Sequence, residues 1–240
     1  MNNSSTTEGY GESPKYLKQT HQLIKQLKKL SKAEVNTLMK MSDNLQESTV
    51  QGYQDFKLKA NANIASSSVL TYAGEAYNSM QPDNWNKTQR AFADKHVRLL
   101  SGLYGILKPS DLIQNYRLEM GAKSKSILGH SLYQYWSESI TDDINQDLKK
   151  HKEQIVVNLA SGEYSKTISK NLNYPIVNIE FKEEKNGKLK VISFNAKKAR
   201  GMMTDYIVQN KIDSIDNLKQ FDLDGYSLVN AENATLLFTK

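Results

Sequence analysis

The sequence predicts a single α+β domain, rich in helix in its N-terminal half and built on a mixed sheet in its C-terminal half. Three observations carry that expectation. Apolar residues recur every three or four positions through most of the chain up to Leu148. Beyond that point the pattern changes to short β-branched runs and alternating segments. Two of the alternating segments are joined by an Asn-Gly pair, which favours hairpin turns.

In chain order, residues 1–13 are polar and rich in Gly, Ser and Thr, and read as a flexible tail before one domain over 14–240. Leu17, Leu23, Ile24, Leu27 and Leu30 mark a helix with lysines between them. Ser31, with Glu34 three residues on, makes a capping box for a second helix that turns Val35, Leu38, Met39 and Met41 inward. Ser42-Asp43 starts a third, short helix through Leu45. Asn and Ser dominate residues 52–70, whose pattern is ambiguous, but SVLTY at 68–72 has the character of a strand. Residues 75–80 follow as a short helix or loop. A helix is expected over 85–100, with Phe92, His96, Leu99 and Leu100 on one stripe, ended by Gly102 and Gly105. Pro109 is placed to open another element over 110–116. Leu132–Leu148 reads as a further helix with Tyr133, Trp136, Ile140, Ile144 and Leu148 inward. IVVNLA (155–160) is a buried-strand run, PIVNIEFKE (175–183) and KLKVISFNA (188–196) alternate, a helix covers 199–209, and ATLLFT (234–239) is a final strand.

Composition excludes some chemistry. The 240 residues contain no cysteine, so disulfides, thiolate metal sites and a cysteine nucleophile are absent. No apolar run approaches the roughly 20 residues of a membrane helix, and the first residues lack the basic and apolar regions of a signal peptide. A cytoplasmic protein is expected. Four scattered histidines share no ligand spacing, so no metal site is expected, and His96 reads as a packed residue. There is no Gly-rich phosphate loop, GxSxG elbow or HExxH. The net charge of +6 is a weak pointer to a polyanion, so the placement of the cations matters more than their number.

Four blocks hold the candidate residues. In Ser101-Gly102-Leu103-Tyr104-Gly105, two glycines bracket an apolar pair, as in the hairpin of a helix-hairpin-helix element whose backbone N–H groups approach a phosphate. Pro109 delays the next element beyond the usual register, and the alternative is a Gly-terminated helix with a tight connection. Arg117 and Glu119 alternate onto one face, either as an ion pair or as an anion-binding arginine held by its partner. Lys197, Lys198 and Arg200 place three cations within four residues at the expected start of a helix, where the dipole disfavours them. A bound phosphate accounts for that placement; a solvated turn is the other reading. Asn158, Ser161, Glu163 and Tyr164 follow a buried strand, where polar side chains commonly line a cleft.

Together and in this order, LSGLYGILKPSDLIQNYRLEMG, LYQYW, VVNLASGEYSK and NGKLKVISFNAKKARG resemble the YaaA family of peroxide-stress proteins, over residues 95–205. The resemblance implies an α+β fold with a helix-hairpin-helix-like element and a basic cleft. It implies DNA binding without sequence preference, and a role in limiting peroxide damage and free intracellular iron. No established reaction and no cofactor come with it, and a monomer is expected. Carried over residue by residue, it assigns Ser101, Gly102, Tyr104 and Gly105 to the hairpin, and Arg117, Glu119, Lys197, Lys198 and Arg200 to the cleft. Family members begin with an apolar strand and a Ser-Pro-Ala-Lys-Thr segment, so that strand is expected to be missing from a chain that starts near TTEGYGESPKYLKQT. The alternative function is an enzyme acting on a nucleotide or damaged base, its phosphate held by Lys197–Arg200, with Glu119 or Glu163 as acid/base.

Overall fold

A computed structural model describes residue 1, residues 11–58 and residues 64–240. The fold is α+β, with helices dominating the first half and a mixed sheet in the second. Two compact units divide the chain. One comprises Met1–Tyr72, Arg98–Thr141 and Gly162–Lys170; the other comprises Ala73–Val97, Asp142–Ser161 and Asn171–Lys240.

In the first unit, the helix Leu17–Leu27 buries Leu23, Ile24 and Leu27, as their spacing requires. The capping box forms: Ser31 Oγ accepts from the Glu34 amide at 3.3 Å, and Glu34 Oε2 accepts from the Ser31 amide at 2.8 Å. The next helix, Asp43–Asp55, is longer than its apolar content suggests. Its buried face is Gln46, Thr49 and Tyr53, whose polar groups all find acceptors: Thr49 donates to Leu45 O at 2.7 Å, Gln46 to Met41 O at 2.9 Å, and Tyr53 to the distant Arg117 O. A helix packed through polar residues leaves no hydrophobic period to read.

The tail expected over 1–13 falls mainly on residues 2–10, outside the described residues. Glu12 is held, because its amide donates to Ser110 O at 3.3 Å and its carbonyl accepts from Leu112 N at 2.8 Å. The strand expected at 68–72 is instead a helical turn, Ser68–Thr71, preceded by the two-residue strand Ser66–Ser67. Thr71 Oγ1 donates to Ser67 O at 2.9 Å, and the amides of Ser68 and Val69 reach Asp111 O and Pro109 O. These contacts override the β-propensity of the segment.

The most informative departure is at 99–107. Leu99–Ser101 and Gly105–Leu107 form an antiparallel β-hairpin, with Ser101 paired to Gly105, in place of the expected hairpin between helices. Both glycines are required by packing. A Cβ on Gly102 would fall 2.3 Å from Leu118 O. Gly105 has φ +77°, and a Cβ there would fall 2.6 Å from the indole of Trp136. Trp136 lies on the helix Leu132–Leu148, is fully buried, and donates its indole N–H to Gly102 O at 2.9 Å. Pro109 precedes only the short strand Leu112–Ile113, which pairs with Ser66–Ser67.

In the second unit, the helix expected over 85–100 is confined to Lys87–His96. Asn86 caps it, accepting from the amides of Thr88 and Gln89 at 3.0 Å each. The sheet runs in the order Val156–Asn158, Ile176–Lys185, Thr235–Thr239, Ser227–Glu232. Its first two pairings are parallel and the last is antiparallel. Lys188–Lys190 folds back on Ile176–Lys185 through Asn186-Gly187, both at positive φ, the geometry that favours this pair. The strand expected to reach residue 196 stops at Lys190, and the helix starts at Ser193 rather than at 199, running to Asn210. Phe181, Phe221, Tyr226 and Phe238 pack with Ala199 and Met203 as the core of this unit.

Candidate functional site

The first unit gathers Arg117, Glu119, Glu163 and Tyr164. Burial alternates over residues 117–120: Leu118 and Met120 are buried, Arg117 and Glu119 exposed. Arg117 Nη2 lies 2.8 Å from Glu119 Oε1. Both groups are well exposed, so the pair adds at most about 1 kcal/mol of stability and remains open to a competing anion. The backbone beneath is fixed from below. The Tyr53 hydroxyl donates to the Arg117 carbonyl oxygen, and the Glu119 amide points at the Met39 sulfur at 3.3 Å.

Glu163 arrives on the short helix Gly162–Ser165 and accepts the Gly121 amide at 2.9 Å. A Cβ on Gly121 would already lie 3.3 Å from this carboxylate, so the glycine allows the approach. Burial, and then the negative charges of Glu163 and Glu119, push the Tyr164 phenol up to about 12. It is therefore a neutral donor at physiological pH, with a guanidinium and two carboxylates around it. Such an arrangement can hold a small polar ligand through donors and acceptors together.

Behind Arg117, the Tyr116 hydroxyl contacts Ser101 Oγ and, at 2.7 Å, the Tyr72 hydroxyl. The Tyr104 amide donates to Ser101 Oγ at 2.9 Å. Burial first of all holds the Tyr116 phenol well above its ordinary range. Sequence reasoning missed Tyr72 and Tyr116, since no spacing connects residues 72, 101 and 116. Ser101, Gly102, Tyr104 and Gly105 are all buried. A Cβ on Gly102 would meet the Leu118 backbone and one on Gly105 the Trp136 indole, so both glycines are required by packing.

Lys197, Lys198 and Arg200 belong to the second unit, as do Asn158 and Ser161. The cations lie more than a turn inside the helix Ser193–Asn210, so the electrostatic mismatch expected from a helix start at this cluster does not arise. Lys198 reaches Asp224 at 3.3 Å. Arg200 is partly buried, with Nε donating to Ala196 O at 3.1 Å, and burial lowers its basicity. Lys197 is exposed, and the exposed cations continue along the hairpin as Lys185, Lys188 and Lys190. Asn158 is used locally: it donates to Asn178 Oδ1 at 2.8 Å and accepts from the Ala160 amide at 3.1 Å. His96 is packed, stacked on Phe92 with Nδ1 at 2.9 Å from Phe92 O.

A family model described as peroxide stress protein YaaA matches residues 1–232. Among curated relatives, a UPF0246 protein of Acaryochloris marina is 44% identical over 214 residues, covering 89% of this chain and 84% of its own length. A UPF0246 protein of a Marinomonas species is 42% identical, covering 89% of this chain and 82% of its own length. A third, from Colwellia psychrerythraea, is 42% identical over 221 residues, covering 92% of this chain and 86% of its own length.

Proposed function

We propose, from the premise that the chain belongs to the peroxide stress protein YaaA family, that it serves the peroxide stress response by binding DNA without sequence preference and shielding it from oxidation. One observation carries the reading: the run of exposed lysines at 185, 188, 190 and 197 on the second unit. Lysines displayed singly on a surface meet phosphates as point charges and read no base, which is the signature of non-specific affinity. The lowering of free iron that the family resemblance implies belongs to the same proposal, and intracellular iron measured by electron paramagnetic resonance with and without the gene tests it.

The direct test is salt-titrated binding to duplex DNA. If three phosphates are neutralised, affinity falls about 40-fold between 50 and 200 mM salt. Lys188→Ala, Lys190→Ala and Lys197→Ala together are expected to weaken binding about 10-fold and to flatten that dependence. An affinity indifferent to salt, or untouched by the triple substitution, refutes this mechanism.

A second reading rests on Tyr164. Its phenol is held neutral beside Glu119, Glu163 and Arg117, and this suits an enzyme site for a nucleotide or damaged base, with Glu163 as acid/base. A thermal-shift screen with nucleotides and nucleosides is expected to reveal a stabilising ligand whose effect Arg117→Ala removes. The absence of a shift with every compound in the screen counts against this reading.

A further inference from the structure

We infer that Leu189, Val191 and Phe194 form a platform on which unpaired DNA bases stack; this rests on the DNA-binding reading and specifies the strand state that the basic face takes. Phe194 is 57% exposed, Val191 61% and Leu189 47%. By contrast, Phe181, Phe221 and Phe238 of the same unit are buried. Three large apolar side chains within six residues are thus left in water on one short stretch, an arrangement that marks an interaction surface.

The charges around the stretch choose the partner. Phe194 sits in the first turn of the helix Ser193–Asn210, and Lys197 and Lys198, three and four residues on, share its face. Lys188 and Lys190 alternate with Leu189 on the preceding strand and so project from its other face, while all three are exposed. Between residues 182 and 198 there are six lysines (182, 185, 188, 190, 197, 198) and two acidic residues, Glu183 and Glu184; Lys182 pairs with Glu180 at 2.8 Å and Lys198 with Asp224 at 3.3 Å, and Lys185, Lys188, Lys190 and Lys197 are the exposed cations. Glu183 is occupied internally, accepting from Asn195 at 2.7 Å and from the Tyr226 hydroxyl at 3.0 Å. Exposed apolar side chains and exposed lysines therefore share this one stretch of chain.

Lysines alone on a strand that pairs on one side guard it against aggregation, but that role does not call for Val and Phe beside them. A second copy of the chain would bring like charges together. A lipid surface takes an amphipathic helix along a long stripe, whereas this helix turns Ala196, Ala199 and Met203 into the core and offers only its first turn. Single-stranded DNA matches both features: phosphates meet the lysines, and an open base face meets the phenylalanine ring. In a duplex the base faces are covered by their neighbours, so the ring gains nothing there.

The test is fluorescence anisotropy with a labelled single strand and a duplex of the same sequence, with phosphatidylserine vesicles as a third arm. Phe194→Ala is expected to weaken single-strand binding about 10-fold and duplex binding less than about 2-fold. Phe194→Tyr, which keeps the ring, is expected to retain the parent affinity. If the parent binds both DNAs and Phe194→Ala leaves single-strand affinity unchanged, or weakens both equally, the platform is overturned while the duplex reading stands. If the parent binds neither, both fall. Loss of vesicle binding in Phe194→Ala with DNA binding intact overturns the inference in favour of a lipid surface.

Discussion

Gly201→Ala is expected to destabilise the protein by about 3 kcal/mol, the upper end for forcing an atom into a packed site. The sign opposes the usual expectation, because Ala inside an exposed helix stabilises by up to about 1 kcal/mol over Gly. Gly201 lies inside Ser193–Asn210, where the helix meets Glu75–Asn78 at backbone distance. A Cβ there would fall 2.0 Å from Ala76 O and 2.9 Å from Ser79 Cβ. The Ala76 oxygen belongs to backbone, so no rotamer change relieves the overlap. Gly162→Ala is the control, since a Cβ at that position meets nothing within 4 Å; its effect is expected to stay within about 0.5 kcal/mol. Urea denaturation of both variants measures the difference. Equal midpoints would show that the two helices do not need this contact.

The second large effect is at Trp136. Trp136→Ala is expected to cost about 4 kcal/mol, the range for emptying a buried indole site. The ring fills the space over Gly105, meets Tyr16 edge-on at 6.1 Å and Tyr135 at 4.9 Å, and supplies the donor to Gly102 O. Trp136→Phe separates these contributions. It keeps most of the ring and removes the N–H, so a loss of about 1–3 kcal/mol is expected from the missing donor. Thermal melts of the two variants give the comparison. A Trp136→Ala loss below about 1 kcal/mol would mean that the hairpin 99–107 holds its shape without the indole.

How much was legible in the sequence follows from what each element buries. Leu17–Leu27, Lys32–Leu38 and Leu132–Leu148 were readable because apolar stripes and a capping box are local signals. The Asn186-Gly187 hairpin was readable because both residues tolerate positive φ. The length of Asp43–Asp55 was hidden by its polar buried face, and Ser68–Thr71 by contacts to the distant Pro109 and Asp111. Ser227–Glu232 was not anticipated; its side chains are largely exposed, so no buried alternation marks it. In the candidate site, alternation correctly paired Arg117 with Glu119. That Glu163 and Tyr164 would join them depends on long-range packing that no spacing announces. The glycines of the 101–105 block stand out in the sequence, and in the fold they admit the Leu118 carbonyl and the Trp136 indole, a packing role that depends on residues distant in the chain.

The strand order has a consequence for how the molecule is made. Thr235–Thr239 lies between Ile176–Lys185 and Ser227–Glu232, yet the ribosome delivers it after both. Until it emerges, those two strands have no partner along the edges that will receive it, and such edges invite pairing with a neighbouring nascent chain. The parallel pairing of Asn178 with Thr235 also closes a long loop, a slow step. The second unit therefore completes its sheet only after translation has passed residue 239, and a chain stopped before Thr235 loses an interior strand rather than a dispensable edge.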